Sequence, residues 1–185
     1  MSTGECSVPM SEKAVAEALA AADAICLRAG SRFTRQRRTV LAVLLEAGMP
    51  LSAYDLLDRL RPLDPMVKPV TVYRALDFLL AEGLVHRLET TRSYVACAHP
   101  DHPHAVQFLI CRSCGKVVEA HDRTIAKATA ELGRSRGFVL DQPTVELTGQ
   151  CSDCVEGHRH DRGEQDEDAH DQGGEHSGCP ICQPV

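Results

Sequence analysis

Apolar residues along the first eighty positions recur at three- and four-residue spacing, the pattern of helices that bury one face. "SEKAVAEALAAADAICLRA" (11–29) lines up Val15, Leu19, Ala22, Ile25 and Cys26, and Gly30 ends the run. Thr34 is placed to cap a second helix, "RQRRTVLAVLLEA", which Gly48 and Pro50 stop. Ser52 opens a third, "AYDLLDRLR", closed before Pro62 and Pro65. Pro69 stands near the start of a fourth, "VTVYRALDFLLAEG", ended by Gly83. The period then changes to two. "LVHRLE" and "SYVACA", separated by Thr90, Thr91 and Arg92, predict a strand hairpin. Three or four short helices followed by a hairpin is the order of a winged helix-turn-helix.

Beyond a loop with Pro100 and Pro103, the pattern predicts a second, mixed domain. "AVQFLIC" and "KVVEAH" read as strands, "DRTIAKATAELGRSRG" as a helix capped by Asp122, and "FVL" and "TVELTGQC" as further strands. This β-β-α-β-β order offers a sheet surface for pairing. From Glu156 onward the chain is Gly, His and acid and cannot form a core, so a disordered tail is expected. The expected fold class is α+β, an N-terminal winged helix-turn-helix followed by a small α/β domain. The expected boundaries are 1–96, a hinge at 97–104, 105–154, and a tail at 155–185.

Charge sharpens this division. The formal net charge is −6, and residues 155–185 alone hold two basic against eight acidic residues. The body is therefore near neutral, apart from "RAGSRFTRQRR" (28–38), which has five Arg and no acid. At 43% hydrophobic the chain can bury a core. No run approaches the roughly 18 apolar residues of a membrane span, and no apolar stretch follows a basic start as in a secretory signal. Nine cysteines without export point to a cytoplasmic chain with reduced thiols, hence metal or redox chemistry before disulfides.

Cys111 and Cys114 form one C-x-x-C pair and Cys151 and Cys154 a second, with 36 residues between them. Two residues between cysteines let a tight turn aim both thiolates at one point, and two such turns complete a tetrahedron for zinc. A thioredoxin-like pair would open a helix, whereas Gly115 and a strand follow here. A closed four-cysteine site has no open position, so its role is structural.

Other potential ligands crowd the junction of the two halves: His86, Cys97, His99, His102, His104, Glu119 and His121. His86 and Cys97 lie on the two arms of the hairpin. Glu119 follows Cys114 by five residues on the returning strand. This density around a hinge points to a second metal site.

The stretches "SAYDLLDRLR" (52–61), "KPVTVYRALDFLLAEGLVHRLE" (68–89), "SYVAC" (93–97), "ICRSCG" (110–115) and "CSDC" (151–154) resemble the ferric uptake regulator family, and within it the zinc uptake regulator branch. The resemblance covers roughly residues 11–154. It implies a metal-dependent dimeric repressor of zinc import, with an N-terminal winged helix and a C-terminal dimerisation domain. It further implies two Zn²⁺ per subunit: a structural ion on Cys111, Cys114, Cys151 and Cys154, and a sensory ion on His86, Cys97, His104 and Glu119. Two imidazoles, a thiolate and a carboxylate suit tetrahedral Zn²⁺, whereas an Fe²⁺ or Mn²⁺ sensor favours nitrogen and oxygen alone. His99, His102 and His121 stay open: one of them replaces an assigned ligand, or they form a third site.

A metal joining the hairpin to the sheet would fix the angle between the halves and so the spacing of two recognition helices on operator DNA. The helix from 70 to 82 is the expected reader of the major groove. Val72, Ala75, Leu76 and Leu79 form its buried stripe, with Tyr73 and Arg74 turned outward beside Asp77. Tyr54 is a second expected contact, and Arg32, Arg35, Arg37 and Arg38 are expected on phosphates. Asp58 and Arg61, three apart on one helix, read either as an ordinary ion pair or as a contact between neighbouring dimers. The tail adds His158, His160, His170, His176, Cys179 and Cys182, which suggest loose zinc capture or plain solubilising chain. The rival readings are a sensor of iron or manganese and a zinc-buffering protein. No HExxH, GxSxG or HxE…PCxxC pattern occurs, so the expectation is a binding protein and no enzyme.

Overall fold

The computed structural model describes residues 10–100, 105–140 and 143–155. The chain divides into two units, 1–151 and 152–185, and every element named below lies in the first. Four helices come first: α1 (Glu12–Arg28), α2 (Arg35–Ala47), α3 (Ala53–Leu60) and α4 (Pro69–Ala81). A hairpin follows, β1 (Val85–Leu88) and β2 (Ser93–Ala96), then β3 (Val106–Cys111), β4 (Val117–Ala120), α5 (Arg123–Ser135) and β5 (Thr144–Gly149).

Local chemistry sets these boundaries. Ser11 accepts the Ala14 N–H at the start of α1. Ser52 and Asp55 form a reciprocal capping box on α3, in which the Asp55 carboxylate accepts the Ser52 N–H at 2.9 Å. That bonding holds the Asp55 carboxyl below its usual range. Pro69 sits in the first turn of α4. Gly48 ends α2 with φ 56°, a conformation that side chains with a Cβ resist. Thr34 occupies the cap position of α2, but its side chain makes no capping bond.

The four helices bury one face each. Val15, Ala22 and Cys26 of α1 meet Val40, Leu41 and Leu44 of α2, Leu56 and Leu60 of α3, and the α4 stripe Val72, Ala75, Leu76 and Leu79. Leu56, Leu76 and Leu79 are fully buried, and burial of each contributes about 2 kcal/mol. The hairpin gains a third rung where Leu51 and Tyr94 exchange backbone hydrogen bonds of 3.0 and 2.8 Å. This is the winged-helix arrangement that the sequence predicts.

The second half is a three-stranded sheet of order β4-β3-β5, with β4 antiparallel and β5 parallel to the central strand. Asp122 caps the connecting α5 by accepting from Thr124 and Ile125. "FVL" (138–140) is a correction: these residues form no strand, and Val139 is 91% exposed. The observed order is thus β-β-α-β, because three apolar residues without a neighbouring strand have no ladder to join. Leu88 and Val95 of the hairpin pack with Val106, Phe108, Ile110 and Val117 of the sheet. Among the described residues no helix is long and apolar enough to cross a membrane. The expected tail beyond Val155 lies outside the described residues.

Candidate metal centres and nucleic-acid interface

Strand alternation decides which side chains meet between hairpin and sheet. His86 pairs in register with Val95, and Leu88 with Ser93. Side chains two apart on a strand share a face, so His86, Leu88, Val95 and the following Cys97 all turn towards the sheet. The Cys97 N–H continues the ladder to the Leu84 carbonyl at 3.0 Å. On the sheet, Phe108 of β3 stands in register with Glu119 of β4 and Glu146 of β5. All three face the hairpin, and the His86 ring meets the Phe108 ring edge-on at 5.5 Å between centroids.

One donor atom each from His86, Cys97 and Glu119 lies within 4.8 Å of the other two. Glu119 is fully buried and Cys97 nearly so. A buried carboxylate costs several kcal/mol, on the order of the desolvation of an ion, unless a partner compensates. The Ala98 N–H supplies one compensation at 3.2 Å. Thiol, imidazole and carboxylate are a borderline-soft donor set that fits Zn²⁺. The expected fourth donor, His104, and the neighbouring His102 lie outside the described residues. His99 and His121 are brought to the outer side of Glu119.

The second centre is built on a turn. Gly115 takes φ 75° and donates to the Cys111 carbonyl at 3.0 Å, which folds Cys114 back beside Cys111. Arg112 donates to the Gly149 carbonyl at 2.8 Å, so the end of β5 delivers Cys151 to the same point. The Sγ atoms of Cys114 and Cys151 are 3.7 Å apart, and the Cys151 N–H donates to Cys111 Sγ at 3.3 Å. Cys111, Cys114 and Cys151 each place a sulfur within 4.8 Å of the others. Backbone N–H groups of Cys151 and Cys114 hold the Cys111 thiol down at about 6, so a thiolate is available at neutral pH. Three converging sulfurs, one favouring thiolate, fit the soft donor demand of zinc. Cys154 lies in the second unit, in the helical turn three residues after Cys151.

On α4, Tyr73, Arg74 and Asp77 are exposed opposite the buried stripe. Tyr54 is 74% exposed on α3. The arginines divide into two kinds. Arg32 and Arg35 are exposed. Arg37 lies 3.4 Å over the Phe78 ring and donates to the Arg32 carbonyl, and Arg38 pairs with Asp23 at 3.2 Å near the Phe33 ring. Arg61, at the C-cap of α3, and Asp58 form an exposed ion pair of 2.7 Å.

A match to the ferric uptake regulator family spans residues 28–148. The chain belongs to the ferric uptake regulator family. Within that family it is similar to the zinc uptake regulation protein of Escherichia coli, 43% identical over 148 residues, which cover 80% of this chain and 86% of that one. It is also similar to the zinc uptake regulation protein of Mycobacterium tuberculosis, 36% identical over 129 residues, covering 68% and 96%. A solved zinc uptake regulator complexed with zinc and DNA superposes with TM-score 0.75 at 42% identity, over 78% of this chain and 97% of that one. The α+β fold read from the sequence is the family fold, and the chain is a transcription regulator rather than an enzyme.

Sequence reasoning missed Glu146. Its carboxylate accepts the Glu89 and Thr90 N–H groups at 2.7 and 2.9 Å and so ties β5 to the hairpin tip. An acid within the strand "TVELTG" is the available signal, but its partner depends on a register that the sequence does not state.

Proposed function

We propose that this chain is a zinc-responsive transcriptional repressor that binds operator DNA as a homodimer when zinc-loaded and controls zinc uptake genes in the cytoplasm. The observation that carries this reading is the meeting of His86 and Cys97 of the hairpin with Glu119 of the sheet. A shared ion would supply the Lewis-acid bonds that hold these three donors together, with His104 proposed as the fourth. His86 and Cys97 then fix the wing, and Glu119 fixes the sheet, so the angle between them is set. In a dimer that angle sets the distance between two recognition helices, which must match half-sites on the duplex. Zinc favours the DNA-competent arrangement, and by linkage DNA tightens zinc binding by the same factor.

The remaining assignments follow the same reading. Cys154, at the C-x-x-C distance from Cys151, is proposed as the fourth structural ligand beside Cys111, Cys114 and Cys151. The proposed division is a DNA-binding half at 1–96, a hinge at 97–104, a dimerisation half at 105–154 and a tail. Supporting the homodimer, Leu109 and Leu147 stand side by side on the sheet face away from the hairpin and are 47% and 44% exposed. Leu132, Phe138 and Val139 are exposed in the same half, and Gly133 is the only buried residue of α5. Arg74 and Tyr73 are proposed to read bases, with Tyr54, Arg32 and Arg35 on bases or phosphates. Arg37 and Arg38 are proposed to add positive field from their packed positions.

The test is DNA binding by the full chain on a zinc-importer promoter, at buffered free Zn²⁺, Mn²⁺ and Fe²⁺. A response to zinc at the lowest free concentration supports the reading. A response to Mn²⁺ or Fe²⁺ alone would replace it with a sensor of that metal. No metal-dependent binding would favour zinc buffering.

A further inference from the structure

The sensory set has a second layer. Cys97 and Glu119 each carry a histidine two positions further along the chain, His99 and His121. His121 directly follows β4 and His99 stands beyond a bend at Ala98, and both come to the Glu119 carboxylate. His121 Nε2 lies 3.1 Å from Glu119 Oε1, and His99 Nδ1 lies 4.0 Å from the same oxygen. The two rings meet edge-on at 5.0 Å between centroids, and the three donor atoms all fall within 4.8 Å of one another. Burial grades outward: Glu119 is fully enclosed, the His121 side chain is 27% exposed and that of His99 46%.

We propose that His99, Glu119 and His121 bind a further divalent transition-metal ion at the solvent side of the sensory set, with the Glu119 carboxylate bridging the two ions. This rests on the sensory reading only through the sharing of Glu119. Two imidazoles and one carboxylate select zinc, cobalt or nickel over magnesium or calcium, which require several oxygen ligands. Three protein donors at an exposed edge leave a coordination position for water, so the ion exchanges with solvent, unlike one in a closed thiolate site. The buried ion and the outer ion repel each other across one carboxylate. The outer site therefore fills after the inner one, at higher free metal, and extends the range over which the hinge responds.

The experiment is titration of the full chain with Co²⁺, its structural site already holding zinc, followed by visible and near-ultraviolet absorption. The wild type is compared with His99→Ala/His121→Ala and with Cys97→Ala, so that any ion taken up elsewhere cancels in the differences. The double variant is expected to bind one Co²⁺ fewer per subunit. The lost component should show ligand-field bands without a thiolate-to-cobalt band. Equal stoichiometry in wild type and double variant overturns the proposal. So does a lost component that carries the thiolate band, since His99 or His121 would then serve the Cys97 set. Failure of the sensory reading has a different signature, a thiolate band that persists unchanged in Cys97→Ala.

Discussion

Glu119 and Glu146 stand on opposite sides of Phe108 in a single row across the sheet, and both turn their carboxylates towards the hairpin. Glu119 reaches the donor set at one end, and Glu146 accepts two backbone N–H groups of the hairpin tip at the other. Phe108 fills the middle against Leu88, Val95 and the His86 ring. The interface between wing and sheet thus has a fixed polar contact, an apolar centre and a cluster of three donors that could hold a metal ion.

The fixed contact has a measurable weight. Hydrogen bonds to a charged acceptor contribute about 1.5–3 kcal/mol each when well shielded. Partial exposure lowers that, so Glu146→Ala is expected to cost about 1–2 kcal/mol in chemical denaturation. Burial pushes the Glu146 carboxyl up, but hydrogen bonds from Thr90 and Glu89 outweigh it and leave it below its usual range. The stabilisation is therefore fully present above the ordinary carboxylate range and is lost as pH falls through the depressed value. Wild type and Glu146→Ala should converge in stability on acidification; a gap that widens would contradict the assignment.

The apolar centre predicts a larger loss. Phe108 is fully buried, and Phe108→Ala is expected to cost about 3–5 kcal/mol. Thermal unfolding with zinc present measures it. Phe108→Leu should recover most of the loss, because it refills much of the cavity.

The structural centre predicts dependence on metal. Cys111→Ser should lose one zinc per subunit by elemental analysis and unfold at lower temperature even in excess zinc, since bound metal contributes folding free energy. A strong chelator should bring the wild type down to the same behaviour.

The arginines predict two different phenotypes. Arg35→Ala should leave thermal stability near wild type and reduce the dependence of DNA affinity on salt by about one ion. Arg37→Ala should lower stability, since its guanidinium covers the Phe78 ring. Identical effects from both substitutions would remove the distinction.

What was legible in the sequence follows from range. Helix ends marked by Ser52, Pro69, Gly83 and Asp122 depend on neighbours within a few residues, and each lies where the sequence predicts. The meeting of His86, Cys97 and Glu119 was foreseen through the family resemblance, because no local rule joins residues 33 positions apart. "FVL" was misread because an apolar triplet suggests a strand only when a partner ladder exists. Glu146 was missed because its bond to Thr90 depends on the parallel register of β5 on β3 and on the docking of a hairpin 56 residues earlier.

In the proposed mechanism Cys97 belongs to the switch that couples zinc to DNA. The most direct measurement is DNA binding by wild type and Cys97→Ala across buffered free zinc, with bound metal counted in the same samples. The expected result is a steep rise for the wild type, and for Cys97→Ala one zinc fewer per subunit and a flat, weak response. A variant that loses that zinc yet keeps the wild-type response would contradict it.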